Sequence, residues 1–248
     1  MPKKAKGRKM KGGAVVAEQF ERMLLAVPKV RPQDATAWVR YLTGLWLSGL
    51  RLEESAILSW DTDAPFAIDL SGRRPRFRIE GEAQKSGRDE LLPMTPDFGE
   101  WLLATFPEGD RHGRVFKLNC VKTGVPLLHH RVGQVVSAIG KRAGVVVSKA
   151  DGKYASAHDL RRSFGTRWAK RVMPAVLQRL MRHAEISTTM GYYVDLDADA
   201  MADDLWAKHT PGNIPGVGNK SGNIGAEPEA TAEAADAANP CKENGLRQ

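Results

Sequence analysis

The chain has 248 residues, of which 42% are hydrophobic, and it carries a formal net charge of +8 at pH 7. This length fits one sizeable domain or two small ones, and six tryptophans supply apolar volume for a buried core. No apolar run approaches the roughly 20 residues that span a bilayer, and the start lacks a signal-peptide core. Two distant cysteines, Cys120 and Cys241, argue against a disulfide framework and indicate a reducing cytoplasm.

The charge is unevenly distributed along the chain. Residues 1–11 contain six Lys or Arg and no acid, whereas residues 211–248 contain three basic and five acidic residues among many Gly, Asn and Ala. Such compositions are typical of segments without a packed core. We therefore expect a flexible basic arm over 1–13, a folded domain over 14–206 and a disordered tail over 207–248. A basic body with a basic arm favours a nucleic-acid partner, although a solubilising surface would have the same composition.

Helical periodicity dominates the first part of the domain. The pattern predicts helices over 14–27, 34–48, 96–106 and 129–144, and a short helix from Arg51 towards Trp60. Pro28–Pro32 should separate the first two helices. Gly49 should end the second, which leaves Arg51 at the turn that follows. His129 and His130 stand at a helix start without further ligands at metal spacing, so we interpret them as polar helix residues.

Between residues 66 and 94 the pattern changes to short strands. Alternating apolar residues separated by Gly and charged turns predict three of them, around Ile68 and Leu70, Phe77 and Ile79, and Leu91 and Leu92. Lys85 lies at the turn between the second and the third. Residues 145–154 read as a connector.

The stretch Ser156–Val194 holds the densest set of chemically capable side chains. A helix capped by Ser156 would carry His158 and Arg161 on one face, because they are three residues apart. A separate stripe would face the core: Leu160, Phe164 and Trp168.

A second helix should start at Pro174 and run to His183, with Ser187–Thr189 forming caps and turns before Tyr192 and Tyr193. Arginine presents a planar fork that matches phosphate oxygens, and histidine can move a proton near neutral pH. Tyrosine can act as a covalent nucleophile, although its ordinary pKa of about 10 means that it needs help. This set of residue types indicates phosphate chemistry.

Together these residues resemble the tyrosine recombinase, or phage integrase, family. The family's H-x-x-R element is similar to His158–Arg161, and its H-x-x-I-x-T-T-x-x-Y element to His183–Tyr192. Its G-L-R-x-x-E box is similar to Gly49–Glu54. The family usually has Leu-Gly before the second histidine, whereas this chain has Met181-Arg182.

The resemblance implies a mainly α, α+β catalytic core, a helical bundle with a small three-stranded antiparallel sheet. It implies a site-specific recombinase or integrase that cuts and rejoins double-stranded DNA through a 3′-phosphotyrosyl intermediate, without metal, ATP or other cofactor. The nucleophile would be Tyr192, with Arg51 and Arg161 bracing the phosphate and His158 moving the tyrosine proton. Lys85 would protonate the leaving oxygen and His183 would bind the phosphate. The family also implies a homo-oligomer, a tetramer on DNA, encoded by a bacterium, phage or other mobile element.

Two other functions remain open at this point. The family's N-terminal core-binding domain is not recognisable here, so the chain could be a catalytically idle fragment that only binds DNA. A type IB topoisomerase uses similar residues to relax supercoils, although the box that ends at Tyr192 favours an integrase. An acidic helix over Leu196–Trp206 could dock through Leu205 and Trp206 on a neighbouring protomer or on its own domain.

Overall fold

The computed structural model describes residues 12–81, 89–194, 202 and 206. The helices are α1 (Ala17–Val30), α2 (Ala35–Ser48), α3 (Leu52–Ile57), α4 (Pro96–Thr105), α5 (His129–Arg142), α6 (Ala157–Ala169), α7 (Pro174–Met181) and α8 (Ile186–Val194). The strands are β1 (Phe66–Asp69), β2 (Arg76–Ile79), β3 (Glu90–Pro93), β4 (Val146–Ser148) and β5 (Lys153–Tyr154). Within the described residues, no helix has the length and apolarity needed to cross a membrane.

Contacts divide the chain into one unit of residues 1–201 and a second of residues 202–248. In the second unit the structure describes only Ala202 and Trp206, both helical. Leu205, nearly all of the basic arm and the whole stretch 207–248 lie outside the described residues. Helices α1–α8 and strands β1–β5 all lie in the first unit.

A helical core is built around α2, which packs against α1, α4 and α6. Trp38 and Tyr41 are almost fully buried and meet edge to face at 5.8 Å, and burying each such ring stabilises the fold by a few kcal/mol, about 1.5–3 for a typical large apolar side chain. The Tyr41 hydroxyl is 2.8 Å from the Ser55 hydroxyl on α3. Because a buried polar group needs a partner, this hydrogen bond holds α3 at a set distance from α2.

The three-stranded sheet has the antiparallel order β1-β2-β3, with Phe66 opposite Ile79 and Phe77 opposite Leu92. Along β2 the buried Phe77 and Ile79 alternate with half-buried arginines, which is the pattern of a sheet with one face on the core. The predicted fold class, mainly helical with a small antiparallel sheet, is confirmed. Lys85 lies between β2 and β3, outside the described residues.

The first residues of the described chain are tied to α6. The backbone N–H of Val15 donates to the hydroxyl of Ser163 at 2.7 Å, across 148 positions of sequence. Ser163 in turn donates to the carbonyl of Asp159 at 2.7 Å. The segment that precedes α1 is therefore fixed on the helix that carries His158 and Arg161.

The prediction that Pro28–Pro32 breaks the first helix is wrong at its start, because α1 continues through Pro28 to Val30. A proline in the last turn removes one backbone hydrogen bond. The buried Val27 and Ala26 pack on the core and hold that turn in place. Arg31 then closes the helix by donating its N–H to the carbonyl of Val27 at 2.8 Å.

Other boundaries also differ from the prediction. The helix α3 stops at Ile57 rather than reaching Trp60, and α7 stops at Met181 rather than His183. Ser187–Thr189 lie inside α8 instead of forming turns. The expected connector over 145–154 contains the hairpin β4-β5, whose strands of three and two residues are too short to show a periodic pattern.

Gly49 ends α2 in the left-handed conformation, with φ at 64°. Its Cα lies close to the buried ring of Phe164. A Cβ at this position would lie 2.4 Å from Cδ1 of Phe164. The carbonyl of Gly49 also accepts a hydrogen bond from the guanidinium of Arg161. Only glycine meets both the conformational and the steric requirement here.

We expect Gly49→Ala to lower the free energy of unfolding by several kcal/mol: roughly 1–2 for the left-handed conformation and about 1–3 for overpacking against Phe164. Gly124→Ala is the matched control, because φ there is 70° but nothing lies within 4 Å of the added Cβ. Urea unfolding should show a clearly larger loss at Gly49. Equal losses at both positions would contradict the steric part of the explanation.

Candidate active site

Helix α6 enters the core and brings a charged side chain with it. Leu160 and Phe164 are buried, and Arg161, on the same helix, is 5% exposed. Its guanidinium donates one hydrogen bond to the carbonyl of Gly49 and another to the carbonyl of Met181. Burial, followed by the nearby charge of Arg51, lowers the pKa of Arg161 to about 10, so the group remains a cation at neutral pH.

A fully buried carboxylate organises the start of α6. Asp159 accepts hydrogen bonds from the backbone N–H of Ser156 at 3.0 Å and from its hydroxyl at 2.5 Å. It also forms ion pairs with Lys153 at 3.3 Å and Arg162 at 3.1 Å. Ser156 is the N-cap residue, as predicted, and it forms a capping box with Asp159, to which its hydroxyl donates. The Ser-x-x-Asp spacing was the available signal for this role of Asp159.

Arg51 stands at the start of α3, where Glu54 fixes it. The Glu54 carboxylate accepts from the backbone N–H of Arg51 at 2.6 Å and from its Nη1 at 2.7 Å. The Nη2 atom of Arg51 donates to the carbonyl of Arg182 at 2.7 Å. The two arginines expected to bind phosphate therefore donate to consecutive carbonyls, those of Met181 and Arg182, where α7 ends and the turn towards α8 begins.

His183 follows directly in that turn. Its Nδ1 lies 2.9 Å from the buried Thr189 hydroxyl, and its ring stacks on that of Tyr192 with centroids 6.1 Å apart. Burial and then the charges of Arg161 and Arg51 lower the pKa of His183 to about 4. Burial also lowers the pKa of His158, with Arg162 adding to the effect. Both histidines are therefore neutral at pH 7 and can exchange protons.

The two tyrosines of α8 have different surroundings. The Tyr193 hydroxyl donates to the carbonyl of Val172 at 2.6 Å, so it anchors α8 on the segment that precedes α7. Within residues 12–81 and 89–194 the Tyr192 hydroxyl has no such partner. Its ring packs over Gly165, where a Cβ would lie 2.5 Å from Cε1. Burial raises the pKa of Tyr192, against the opposing charges of Arg161 and Arg162, so this phenol is protonated at neutral pH.

A cavity of about 690 Å³ opens beside these residues. Its lining includes Arg51, His158 and Arg161 on one side and polar residues of α5 on the other: His130, Gln134 and Ser137. His130 was interpreted from the sequence as a polar helix residue, and Gln134 and Ser137 were not singled out, because on an amphipathic helix they look like ordinary surface residues. No cluster of three or more His, Cys, Asp or Glu residues that could hold a metal occurs in the part of the chain that the structure describes.

Of the six residues predicted to form the site, five are described and lie around one turn of the chain. Arg51 and Arg161 bind its carbonyls, His183 belongs to it, Tyr192 stacks on that histidine, and His158 shares the cavity with both arginines. Lys85 remains a sequence-based expectation.

We expect the free energy of unfolding to fall as the pH drops from 6.5 towards about 4. The unfolded chain protonates His183 near its ordinary value of 6.5, whereas the folded chain does so only near 4. Above this window the residue is neutral in both states and contributes no slope. Urea unfolding at several pH values should therefore show a shallower slope for His183→Gln, with His158 supplying part of what remains. An unchanged slope would contradict the assignment.

The sequence matches the Phage integrase family over residues 15–199, which is most of the chain. The chain therefore belongs to the phage integrase family, a family of tyrosine-type site-specific recombinases. No curated protein matches it.

Solved structures show the same fold. The crystal structure of XerA recombinase matches with a TM-score of 0.51 and 19% identity, covering 85% of this chain and 67% of that one. The Tn1549 transposon integrase in complex with circular intermediate DNA matches with a TM-score of 0.54 and 16% identity, covering 82% of this chain and 69% of that one. A lambda integrase dimer bound to a COC′ core site matches with a TM-score of 0.55 and 16% identity, covering 79% of this chain and 64% of that one. At these identities the likeness establishes the fold.

Proposed function

We propose that the chain cuts and rejoins double-stranded DNA, with Tyr192 as the nucleophile. The observation that carries this proposal is the turn from Met181 to His183. Its carbonyls accept a hydrogen bond from each of two arginines, Arg51 and Arg161, and the ring of His183 stacks on that of Tyr192. Two guanidinium groups that can bind phosphate and one phenol therefore lie around the same turn.

In the proposed reaction the Tyr192 oxygen attacks the scissile phosphorus and the bond to the 5′-oxygen breaks. The products are a 3′-phosphotyrosyl link and a free 5′-hydroxyl. Arg51 and Arg161 brace the non-bridging oxygens as charge builds up, and one well-placed donor of this kind contributes about 10²–10³ in rate. The phosphodiester energy is kept in the phosphotyrosine, so a 5′-hydroxyl of another strand can reverse the step without ATP.

Proton transfer is assigned to the two histidines and Lys85. Because burial raises the pKa of Tyr192, the phenol needs a base, and His158 is neutral and able to accept its proton. In the proposed tautomer of His183, Nδ1 accepts from the Thr189 hydroxyl 2.9 Å away, and Nε2 carries the proton that would face a phosphate oxygen. Lys85 would protonate the leaving 5′-oxygen.

The proposal extends to partners and organisation. The Tn1549 and lambda integrases were solved with DNA, and the lambda protein as a dimer. We propose DNA binding for this chain as well, with assembly as a homo-oligomer, a tetramer on two duplexes. Residues 1–13 would act as a basic arm, residues 14–206 as the catalytic domain and residues 207–248 as a tail. A role in the movement of a mobile element and a cytoplasmic location complete the proposal.

Covalent capture tests the chemistry. We expect purified protein, mixed with a pool of nicked duplexes from its source genome and then denatured, to carry DNA on Tyr192. Tyr192→Phe should abolish the adduct because it removes only the attacking oxygen. Tyr193→Phe is the matched control, since it loses only the bond to Val172, and it should retain the adduct.

Two outcomes would overturn the assignment. An adduct mapped to Tyr193 would move the nucleophile by one residue. DNA binding without any adduct would identify a fragment that occupies DNA without cutting it.

The close packing at Gly165 gives a second test. Gly165→Ala would place a methyl group within 2.5 Å of the Tyr192 ring and 2.8 Å of the Met181 sulfur, so the nucleophile must shift. Since a displacement of about 1 Å can cost about 10²-fold in rate, we expect adduct formation to slow by about 10- to 100-fold. Gly99→Ala is the control, because its Cβ would meet only Pro75 at an ordinary 3.6 Å. Equal adduct rates in the two variants would contradict this packing argument.

A further inference from the structure

Arg182 adopts a backbone conformation that a side chain rarely occupies. It caps α7 with φ at 49° and ψ at 49°, and among the described residues it is the one non-glycine residue with positive φ. The left-handed conformation is unfavourable for a residue with a Cβ, which comes close to the following carbonyl oxygen. Glycine would occupy it freely. A compensating interaction of the Arg182 side chain is therefore expected.

That interaction is an ion pair with Glu54, 128 positions away in sequence. The Nε atom of Arg182 donates to Oε1 of Glu54 at 3.1 Å, and a terminal nitrogen donates to Oε2, so the two groups meet as a pair of forks. The guanidinium also lies over the ring of Phe66, at 5.6 Å from its centroid. The Arg182 side chain is only 12% exposed, which reduces solvent screening of the pair.

Glu54 is shared between two arginines. Burial alone would raise its pKa, but Arg182 and then the hydrogen bonds from Arg51 hold that pKa below its ordinary value. The carboxylate is therefore an anion with two cationic partners. The three groups together carry one net positive charge. Without Arg182, Arg51 and Glu54 would form a neutral pair at the place where the phosphate is to bind.

We propose that Arg182 is a positioning residue that neutralises Glu54 and so leaves the positive charge of Arg51 available to the DNA phosphate. The inference deepens the proposed function and rests on it for the identity of the anion. The backbone of Arg182 contributes as well, because its carbonyl accepts from Nη2 of Arg51 at 2.7 Å. The ion pair with Glu54 thus fixes the turn that aligns Arg51.

The test is a charge cycle with four proteins: wild type, Arg182→Gly, Glu54→Gln and the double variant. Arg182→Gly relieves the left-handed backbone but leaves Glu54 to neutralise Arg51, so we expect adduct formation to slow roughly tenfold. The double variant restores the net positive charge and should recover most of that loss. Arg182→Lys keeps the charge and should stay close to wild type. Arg179→Gln, which removes a charge from the exposed side of α7, is the control.

Binding is measured separately, with all variants in a Tyr192→Phe background and a labelled duplex at low salt. We expect Arg182→Gly to weaken binding by about threefold to tenfold, the double variant to recover, and the difference to shrink as salt rises. Urea unfolding of Arg182→Gly should show a folded protein, because glycine adopts the left-handed conformation without steric strain, which offsets part of the lost ion pair.

The outcomes separate the inference from the proposed function. An absent wild-type adduct would overturn the strand-transfer chemistry, while the binding series would still decide the role of Arg182. A double variant no better than Arg182→Gly would overturn the charge argument. So would Arg182→Gly that binds and reacts like wild type, or an equal loss in Arg179→Gln.

Discussion

The buried guanidinium of Arg161 is the contact on which the rest of the site depends. A cation with so little exposure is stable only when its donors have partners, and here these are the carbonyls that end α2 and α7. The charge therefore joins three helices at one point. Gly49 must be left-handed to present its carbonyl, and Met181 must be the last residue of α7. The boundaries of these helices follow from that hydrogen bonding as much as from propensity.

Much of this arrangement could be predicted from residue spacing. His158 and Arg161 share a face because the helical period places them there, and Gly49 marks a helix end by its conformational freedom. Local residue patterns gave the wrong helix boundaries where contacts between residues distant in sequence determine the structure. The helix α1 passes Pro28 because buried apolar residues hold its last turn. Ser187–Thr189 are helical because Tyr193 anchors α8 on the segment between α6 and α7, and Thr189 anchors it on the turn after α7.

The partners of the charged residues could not be read from the sequence. Glu54 follows Arg51 by three positions, which suggests local support, but its pairing with Arg182 spans most of the domain. Likewise the spacing of Asp159 indicates a cap, while its burial beneath Arg162 and Lys153 depends on the hairpin β4-β5, which gives almost no periodic signal. Residue patterns can identify the charged residues of such a network, but which of them form pairs is determined by the fold.

The hydrogen bond from Val15 to Ser163 has a consequence for how the chain can be extended. Gly12 lies against Arg162 and Asp159, and Ser163 is five residues beyond His158, or about 7.5 Å along the helix at 1.5 Å per residue. Any segment joined to the chain before Gly12, whether natural or engineered, is attached near the first two turns of α6. A segment that precedes Gly12 in sequence is therefore joined to the domain beside the helix that carries His158 and Arg161.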